Sequence, residues 1–267
     1  MSHVLSIQDL SCVGRCSLTV ALPVLSAMGH QCSVLPTAVL STHTGFPGPE
    51  GISLTGHLRD FARHWASRGI SFDAVTVGYL SCPEQVSAVG QVLDFFPCDR
   101  FLDPVLGDNG KLYSRITPDH IAALRKLFPR AKTVLPNVTE AAFLTGLPYR
   151  ERAEERYYED LAARLLSLGA ESAVITGIDW SDTETGWYFS DGRACLSYRG
   201  PRVPRVCHGT GDLFAAALTG AYLQGKSIPD AAALAAEIVR LCVENTPEAT
   251  PMGPVFEPVL PWLWQQL

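Results

Sequence analysis

The sequence predicts an α/β protein in which a central, mostly parallel sheet carries helices on both faces. Three observations support this prediction. Short apolar segments alternate with longer segments of helical periodicity, which is the pattern of a parallel sheet with crossover helices. Hydrophobic residues make up 47% of the 267-residue chain and charged residues 18%, as in globular proteins that bury a large core. Two β-rich segments around Ser190-Asp191-Gly192 predict a hairpin, and hence antiparallel strands towards one edge of the sheet.

The individual elements follow from apolar periodicity and from the turn residues between them. Strands are predicted at residues 4–7, 31–36, 74–78, 100–103, 133–135 and 172–176, with hairpin strands at 186–189 and 194–198. Helices are predicted at residues 17–28, 54–68, 83–96, 119–128, 139–144, 151–168, 212–224 and 228–243. Helix 151–168 carries opposite charges at helical spacing, and we expect it to form a solvated flank. Segment 45–51 is rich in glycine and proline and is predicted to be a mobile loop.

Bulk properties limit the class of function. No repeat or linker interrupts the chain, so we expect one domain over residues 1–267. The net charge of −6 argues against nucleic acid as a partner, because polyanion binders need a basic surface. The first residues lack the features of a signal peptide, and no apolar segment is long enough to span a membrane. The 8 cysteines form no C-x-x-C pair, so we expect reduced thiols and a cytoplasmic location.

The most informative segment is His208-Gly209-Thr210-Gly211-Asp212, which is followed directly by an apolar, alanine-rich helical pattern. The first N–H groups of a helix have no partner within the helix and can hold an anion. Glycine lets the backbone approach that anion closely. Asp212 then lies in the first helical turn, where it is either a catalytic base or a carboxylate that stabilises the helix dipole. An anion site beside a carboxylate predicts phosphoryl transfer to an alcohol.

Three predicted strands end in polar residues. Asp103 and Asp108 follow one strand, Asn137 and Glu140 a second, and Thr176 ends a third. Ligands of open α/β sheets bind at the carboxyl ends of the strands. Carboxylates at that edge can hold magnesium, largely through water, and the metal would neutralise the phosphates. The alternative is that these residues only form turns and a helix cap.

Together these motifs resemble the ribokinase superfamily, and within it the pyridoxal/pyridoxamine kinases. The resemblance extends over nearly the whole chain and implies a single ribokinase-like kinase domain. It implies ATP-dependent phosphorylation of the 5′-hydroxymethyl group of a vitamin B6 vitamer, with Mg²⁺ and a monovalent cation such as K⁺, in a homodimer. The segments that carry it are Ser6-Ile7-Gln8, Ser41-Thr42-His43-Thr44-Gly45, Gly78-Tyr79-Leu80, Asp103-Pro104-Val105-Leu106-Gly107-Asp108, Pro136-Asn137-x-x-Glu140 and Gly209-Thr210-Gly211-Asp212-Leu213-Phe214.

The resemblance also implies a role for each matched residue. Asp212 would be the base, and the N–H groups of Gly209, Thr210 and Gly211 would hold the transferred phosphoryl group. Residues that would contact ATP or its magnesium are Asp103, Asp108, Tyr113, Asn137, Glu140 and Thr176, of which Asp103, Asp108 and Glu140 would manage the metal. Residues that would form the vitamin pocket are Gln8, Asp9, His43, Thr44, Tyr79 and His208, with Phe46 near a lid formed by segment 45–51.

The chain departs from the family pattern at two places. Asp9 stands where these kinases commonly have serine. It would either pair with a cationic ring or amine, which would favour pyridoxamine, or cap the following turn. Cys207 and His208 precede the glycine turn where apolar residues are common. This pair would either provide an activated thiolate or leave Cys207 packed as a small apolar residue.

Two other functions remain open from the sequence. One is a hydroxymethylpyrimidine kinase, which shares the architecture and the anion-binding turn but often has cysteine at the position of Asp212. The other is a catalytically silent protein that binds a vitamin or a nucleotide. The chain has neither a P-loop motif nor a dinucleotide-binding G-x-G-x-x-G motif.

Overall fold

A computed structural model describes residues 1–205, 207–247 and 251–265. Within these residues the central sheet has nine strands, and a separate small hairpin has two. The strands are β1 His3–Ser11, β2 Gln31–Leu40, β3 Gly51–Ser53, β4 Ala74–Val77, β5 Asp99–Leu102, β6 Gly107–Asp108, β7 Lys111–Leu112, β8 Thr133–Val134, β9 Ser172–Asp179, β10 Glu184–Ser190 and β11 Cys195–Pro201.

The helices lie between these strands, as the alternating pattern predicts. The α-helices are α1 Leu18–Ala27, α2 Leu58–Ser67, α3 Pro83–Leu93, α4 Pro118–Arg125, α5 Val138–Thr145, α6 Glu155–Ser167, α7 Thr210–Leu223, α8 Ile228–Asn245 and α9 Leu260–Trp264, with short 3-10 turns at Thr55–His57, Phe128–Arg130 and Glu257–Val259. No helix among the described residues is long and apolar enough to cross a membrane.

The sheet is parallel in its centre and antiparallel at both edges. Its strand order is β11-β10-β9-β8-β5-β4-β1-β2-β3. The strands from β9 to β2 pair in parallel, whereas β10, β11 and β3 pair antiparallel. The predicted fold class is therefore confirmed, and the predicted antiparallel strands β10 and β11 form one edge of the sheet. The second antiparallel edge is β3, whose three exposed residues carry no apolar periodicity.

Helices cover both faces of the sheet. On one face, α2 to α6 pack over a core that includes Leu5, Ile7 and Phe128. On the other face, α1, α7, α8 and α9 pack over a core that includes Val4 and Phe101. Alternate residues of β1 thus point to opposite cores, as the two-residue period of a strand requires.

One local prediction needs correction. Helix α6 is not simply a solvated flank, because one side of it is buried, including Tyr158 and Leu161. Its many charged residues occupy the other side and mask this apolar stripe in the sequence. The loop predicted at residues 45–51 ends where β3 begins, at Gly51. Two hydrogen bonds close it: the Ser41 N–H donates to Glu50 O (2.7 Å), and the Glu50 N–H donates to Ser41 Oγ (3.0 Å).

The topology defines where a ligand can bind. Strand β1 lies between β2 and β4, so the chain winds outward from β1 in both directions. Such a switch point leaves a crevice beyond the carboxyl ends of the two strands where the direction reverses. Here those strands are β1 and β4, and the crevice continues past β5, β8 and β9.

Candidate active site

The polar residues singled out in the sequence lie in a row along the carboxyl edge of the sheet. Gln8 and Asp9 lie in β1, Tyr79 follows β4 and Asp103 follows β5. Asn137 follows β8, where it forms an isolated bridge with Thr176 of β9. Of the residues expected to bind the vitamin, Gln8, Asp9 and Tyr79 thus lie in or just after β1 and β4. Of those expected to bind ATP, Asp103, Asn137 and Thr176 lie in or just after the next three strands. This order gives the crevice two adjoining halves.

The glycine turn lies at the start of α7. Gly209 is the residue before the helix, with φ of 91°, and the N–H of Leu213 is the first to bond back, to Gly209 O at 3.1 Å. In the described part of the chain, no acceptor contacts the N–H groups of residues 209–212. Positive φ at Gly209 is a backbone conformation that glycine adopts without strain. The turn therefore presents unpaired donors at a helix N-terminus, as an anion site requires.

Asp212 lies beside these donors and keeps part of its surface exposed. Its Oδ2 accepts a hydrogen bond from the Ser17 N–H at 2.7 Å. Burial raises the pKa of the Asp212 carboxyl to about 7, with a further increase from the charge of Asp9, although the Ser17 N–H lowers it. A pKa near neutrality suits a general base.

Two further carboxylates share the pocket. Asp103 is buried, and among the described residues no donor contacts its carboxylate. Burial raises its pKa well above its usual range, and the charges of Glu140 and Asp212 add to this. Glu140 accepts hydrogen bonds from the N–H groups of Leu106 (3.0 Å) and Asn137 (2.8 Å), yet burial still raises its pKa to about 8. The pocket therefore concentrates acidic groups whose ionised forms a bound cation would stabilise.

Asp108 differs from the other two predicted metal residues. It is exposed, and its carboxylate accepts hydrogen bonds from the N–H and the Nδ2 of Asn109, at 2.9 and 3.0 Å. Asn109 and Gly110 have φ of 51° and 73° and form the two-residue turn between β6 and β7. This part of the motif thus has the turn chemistry that the alternative interpretation expects. In residues 1–205, 207–247 and 251–265, no three His, Cys, Asp or Glu side chains are grouped to hold a metal ion directly.

Asn137 caps α5 and anchors the β6–β7 hairpin. Its Oδ1 accepts from the Glu140 N–H at 2.9 Å, and its Nδ2 donates to Gly107 O at 2.9 Å. With the Glu140 carboxylate on the Asn137 N–H this forms a capping box. Asn137 and Glu140 therefore hold together the part of the crevice that is expected to bind ATP, whether or not they also contact a nucleotide.

Thr176 and Tyr113 border the same half of the crevice. Thr176 is half-buried and adjoins Gly177, whose φ of 66° accompanies a register shift between β9 and β10. Tyr113 is 40% exposed. Burial raises its pKa, and the negative charges of Glu140, Asp108, Asp103 and Asp212 add to this increase.

In the vitamin half, Gln8 and Tyr79 lie at the ends of neighbouring strands. A side chain at Gly78 would place its Cβ 2.2 Å from Gln8 Oε1, so glycine is needed for the Gln8 amide to fit. Gln8 Nε2 donates to Ser6 Oγ at 2.9 Å. Tyr79 is half-buried, and burial raises its pKa.

Asp9 is buried, and hydroxyl groups hold both of its carboxylate oxygens. Ser17 Oγ donates to Oδ1 at 2.6 Å and Ser11 Oγ donates to Oδ2 at 2.8 Å. Burial raises the pKa of Asp9, and these hydrogen bonds lower it again in part. The contacts are those expected if Asp9 organises the following turn.

His43 is buried and uses both ring nitrogens in protein contacts. Its Nδ1 accepts from the Gly45 N–H at 3.1 Å, so Nε2 carries the proton and donates to Pro251 O at 2.6 Å. The centre of its ring lies 4.8 Å from that of Phe46 and 5.9 Å from that of His208. His208 is exposed, as is Thr44 beside His43. His43 thereby supports the loop that bears Thr44 and Phe46.

Cys207 shows no sign of activation. Burial raises the pKa of its thiol, and Thr246 and Arg205 lower it by less. An activated thiolate requires the opposite shift. The packed alternative therefore describes Cys207 better.

The structure adds two residues that the sequence analysis missed. Ser17 contacts both Asp9 and Asp212. The Arg15 carbonyl oxygen lies close to Gly209 and Gly253. A Cβ would come within 2.3 Å of this oxygen at Gly209 and within 2.4 Å at Gly253. The contact of Ser17 with Asp212 and the approach of Arg15 O to Gly209 and Gly253 join segments far apart in the sequence, and no local motif marks them.

Comparison with known proteins decides the family. A sequence family described as phosphomethylpyrimidine kinase matches residues 62–259 of the chain. The chain belongs to this family.

Relatives of the kinase include enzymes named for two different vitamins. The pyridoxine/pyridoxal/pyridoxamine kinase of Bordetella bronchiseptica is 32% identical over 267 residues, which covers 92% of this chain and 90% of the relative. The hydroxymethylpyrimidine/phosphomethylpyrimidine kinase of Bacillus subtilis is 33% identical over 178 residues, covering 65% of this chain and 64% of the relative. The crystal structure of pyridoxal kinase from Lactobacillus plantarum superposes with a TM-score of 0.91 at 31% identity, covering 100% of this chain and 98% of the other.

These comparisons confirm the predicted resemblance to the ribokinase superfamily and its pyridoxal kinase branch, and the prediction that the chain is a kinase. The roles of individual site residues remain predictions.

Proposed function

We propose that the kinase transfers the γ-phosphoryl group of ATP to the hydroxymethyl group of a vitamin B6 vitamer. The observation that carries this proposal is the pairing at the start of α7. The N–H groups of residues 209–212, which meet no acceptor among the described residues, adjoin the carboxylate of Asp212, whose pKa is raised to about 7. The substrate class follows the relatives that match most of the chain, including the Bordetella bronchiseptica enzyme.

In this proposal the residues of α7 divide the chemistry between them. The N–H groups of Gly209, Thr210 and Gly211 stabilise the negative charge on the phosphoryl oxygens during transfer. Asp212 orients the acceptor hydroxyl and takes its proton. Because the transition state of phosphoryl transfer is loose, positioning and charge neutralisation contribute more than early proton removal.

The acidic pocket fits a magnesium ion. The Asp103 carboxylate is buried beside two other carboxylates, and no donor among the described residues contacts it, so a divalent cation would relieve their mutual repulsion. When bound, magnesium neutralises charge on the transferring phosphates. Asp103 and Glu140 would hold it mainly through water, since Glu140 is already engaged by two backbone N–H groups. The predicted requirement for a monovalent cation and the predicted homodimer belong to the same proposal.

A second candidate is phosphorylation of hydroxymethylpyrimidine. It is favoured by the family match over residues 62–259 and by the Bacillus subtilis relative. Asp212 distinguishes the two candidates, because the resemblance places aspartate in the vitamin B6 kinases and often cysteine in the pyrimidine kinases.

A turnover panel tests the proposal. ADP release is measured with ATP, Mg²⁺ and each of pyridoxal, pyridoxamine, pyridoxine and hydroxymethylpyrimidine, with and without K⁺. We expect kcat/KM for at least one B6 vitamer to exceed that for hydroxymethylpyrimidine by about 100-fold, or roughly 2.7 kcal/mol. Preference for the pyrimidine would establish the second candidate, and no turnover with any acceptor would leave a silent binding protein.

A further inference from the structure

Ser17 has an unusual backbone conformation for its residue type. Its φ is 52° and its ψ is −127°, and among the described residues only Ser17 and Asn109 combine a side chain with positive φ. Asn109 lies in a two-residue hairpin turn, where asparagine commonly adopts such angles. Serine has no such preference, so the surroundings must hold Ser17 in this conformation.

The hydroxyl of Ser17 makes an unexpected contact for its position. Ser17 precedes α1, where a serine side chain normally accepts a hydrogen bond from the first turn of the helix. Here it makes no such bond, and its Oγ instead donates to Asp9 Oδ1 at 2.6 Å. Both residues are buried. The Asp9 carboxylate thus anchors Ser17 by its side chain.

The consequence of this conformation is the direction of the Ser17 N–H. It donates to Asp212 Oδ2 at 2.7 Å. With one carboxylate oxygen held, the other oxygen of Asp212 is left to face an acceptor hydroxyl. Asp9, Ser17 and Asp212 therefore form a chain of contacts that runs from β1 through the start of α1 to α7.

We infer that Asp9 and Ser17 are positioning residues for the base: Asp9 holds Ser17 at positive φ, so that the Ser17 N–H fixes the orientation of the Asp212 carboxylate. This inference rests on the proposed role of Asp212. It gives Asp9 a function that does not involve contact with the vitamin ring.

Substitutions at Ser17 separate the anchor from the backbone conformation. Ser17→Ala removes the hydroxyl but keeps the Cβ that disfavours positive φ, so the N–H should leave Asp212. We expect kcat to fall about 10- to 100-fold, with KM for ATP and for the vitamer within about two-fold of wild type. Ser17→Gly also lacks the anchor but adopts positive φ without strain, so it should recover part of the lost kcat.

Substitutions at Asp9 test the other end. Asp9→Asn keeps an oxygen that accepts from Ser17 and should retain most of kcat, whereas Asp9→Ala should behave like Ser17→Ala. Ser11→Ala removes the second hydrogen bond to Asp9 (2.8 Å) and leaves the Ser17 contact in place. The kcat of Ser11→Ala should therefore be at least about five-fold higher than that of Ser17→Ala. If Asp9 instead binds a cationic ring, Asp9→Asn raises KM for the vitamer and the alanine and glycine variants at Ser17 do not differ.

Wild-type turnover is measured beside each variant, with hydroxymethylpyrimidine as an additional acceptor. No wild-type turnover of any B6 vitamer counts against the proposed function, whereas wild-type kcat in folded Ser17→Ala overturns the positioning role. A crystal structure of Asp9→Ala provides a readout independent of activity. We expect the distance from Ser17 N to the Asp212 carboxylate to exceed about 3.5 Å there, and an unchanged contact would refute the inference.

Discussion

Asp212 is a half-buried carboxylic acid that the proposed reaction requires in its ionised form. Its pKa of about 7 lies above its usual value of 3.8 mainly because of burial. Between these two values the folded protein binds more protons than the unfolded chain, so the stability that Asp212 contributes falls as pH rises through this interval. Above pH 7 the ionised side chain is therefore a cost to the fold.

Asp212→Asn should exchange activity for stability. The amide oxygen can still accept from the Ser17 N–H, but the side chain can no longer take a proton. We expect kcat to fall about 10²- to 10⁴-fold. At pH 8 we expect Tm to rise by roughly 2–6 °C, which corresponds to about 1–2 kcal/mol in a protein of this size. ADP release and thermal unfolding at pH 8 measure the two effects, and a lower Tm would contradict the assigned burial cost.

The pH dependence of the reaction should report the same group. Because Asp212 must be ionised to act as a base, kcat/KM should fall about ten-fold per pH unit below its pKa, which is about 7 in the free protein. The measurement is kcat/KM for the preferred vitamer from pH 5.5 to 9 at constant ionic strength. The residual activity of Asp212→Asn serves as the control and should lack this acid limb. A wild-type kcat/KM that does not fall between pH 7 and pH 5.5 would show that another group controls the reaction.

The sequence predicted which residue types lie at the site better than it predicted what each side chain contacts. The position of Asp212 follows from a local motif, since a glycine turn before an apolar helix fixes the first turn. The contact of its carboxylate with Ser17 N depends on two segments separated by 195 positions. Asp9 shows the same limit, because its two serine partners become apparent only when the turn after β1 is folded.

Gly209 shows how one position serves both the turn and the packing around it. Its φ is 91°, and a Cβ there would lie 2.3 Å from Arg15 O. Gly225, just past the end of the same helix, has a φ of 93° with open space around it. The two glycines therefore have the same backbone requirement but differ in their surroundings, and they form a matched pair for substitution.

Gly209→Ala and Gly225→Ala should differ in both stability and activity. Each change costs about 1 kcal/mol for the positive φ, and only Gly209→Ala also displaces the Arg15 backbone. We expect Gly209→Ala to lower Tm at least about twice as much as Gly225→Ala does, and to lower kcat/KM about 100-fold. Gly225→Ala should keep kcat/KM within about two-fold of wild type. Thermal unfolding and ADP release measure the pair, and equal losses of activity would remove the special role of the turn.

At the scale of elements, long periodic segments were predictable and short pieces at the margins were not. The strand at Ala74–Val77 is fully buried and has the apolar, β-branched pattern of a central strand. By contrast, β3 is three exposed residues, and β6 and β7 have two residues each. These short strands depend on hydrogen bonds to distant neighbours, so local sequence pattern carries little information about them.

The whole molecule holds its acidic pocket open by surrounding it with elements from both ends of the chain. The loop after β1, the loop after β5 and the start of α7 all reach it, and Arg15 ties this region to the C-terminal segment through Met252 O (2.7 Å) and Glu257 (2.7 Å). Asp103, Glu140 and Asp212 thus come from three different elements of one fold, and a bound cation would offset the repulsion between their ionised forms.

This arrangement predicts a pH-dependent effect of magnesium on stability. Asp103 and Glu140 both have raised pKa values, that of Glu140 about 8, so without a cation the protein should lose stability from pH 6 to pH 8. Protons compete with the metal at pH 6, so Mg²⁺ should stabilise more at pH 8. At about 100 times its Kd the gain would be about 2.7 kcal/mol, or roughly 5–10 °C in Tm. Thermal unfolding with MgCl₂, against NaCl of equal ionic strength, measures this gain.

Asp103→Asn provides the control for magnesium, because it removes one charge from the pocket without changing the size of the side chain. Within the described residues the Asp103 carboxylate accepts no hydrogen bond, and burial raises its pKa, with a further increase from the charges of Glu140 and Asp212. The variant should therefore be more stable than wild type at pH 8 without metal and gain less from Mg²⁺. A magnesium gain that is the same in Asp103→Asn and wild type, or the same at pH 6 and pH 8, would place the cation elsewhere in the protein.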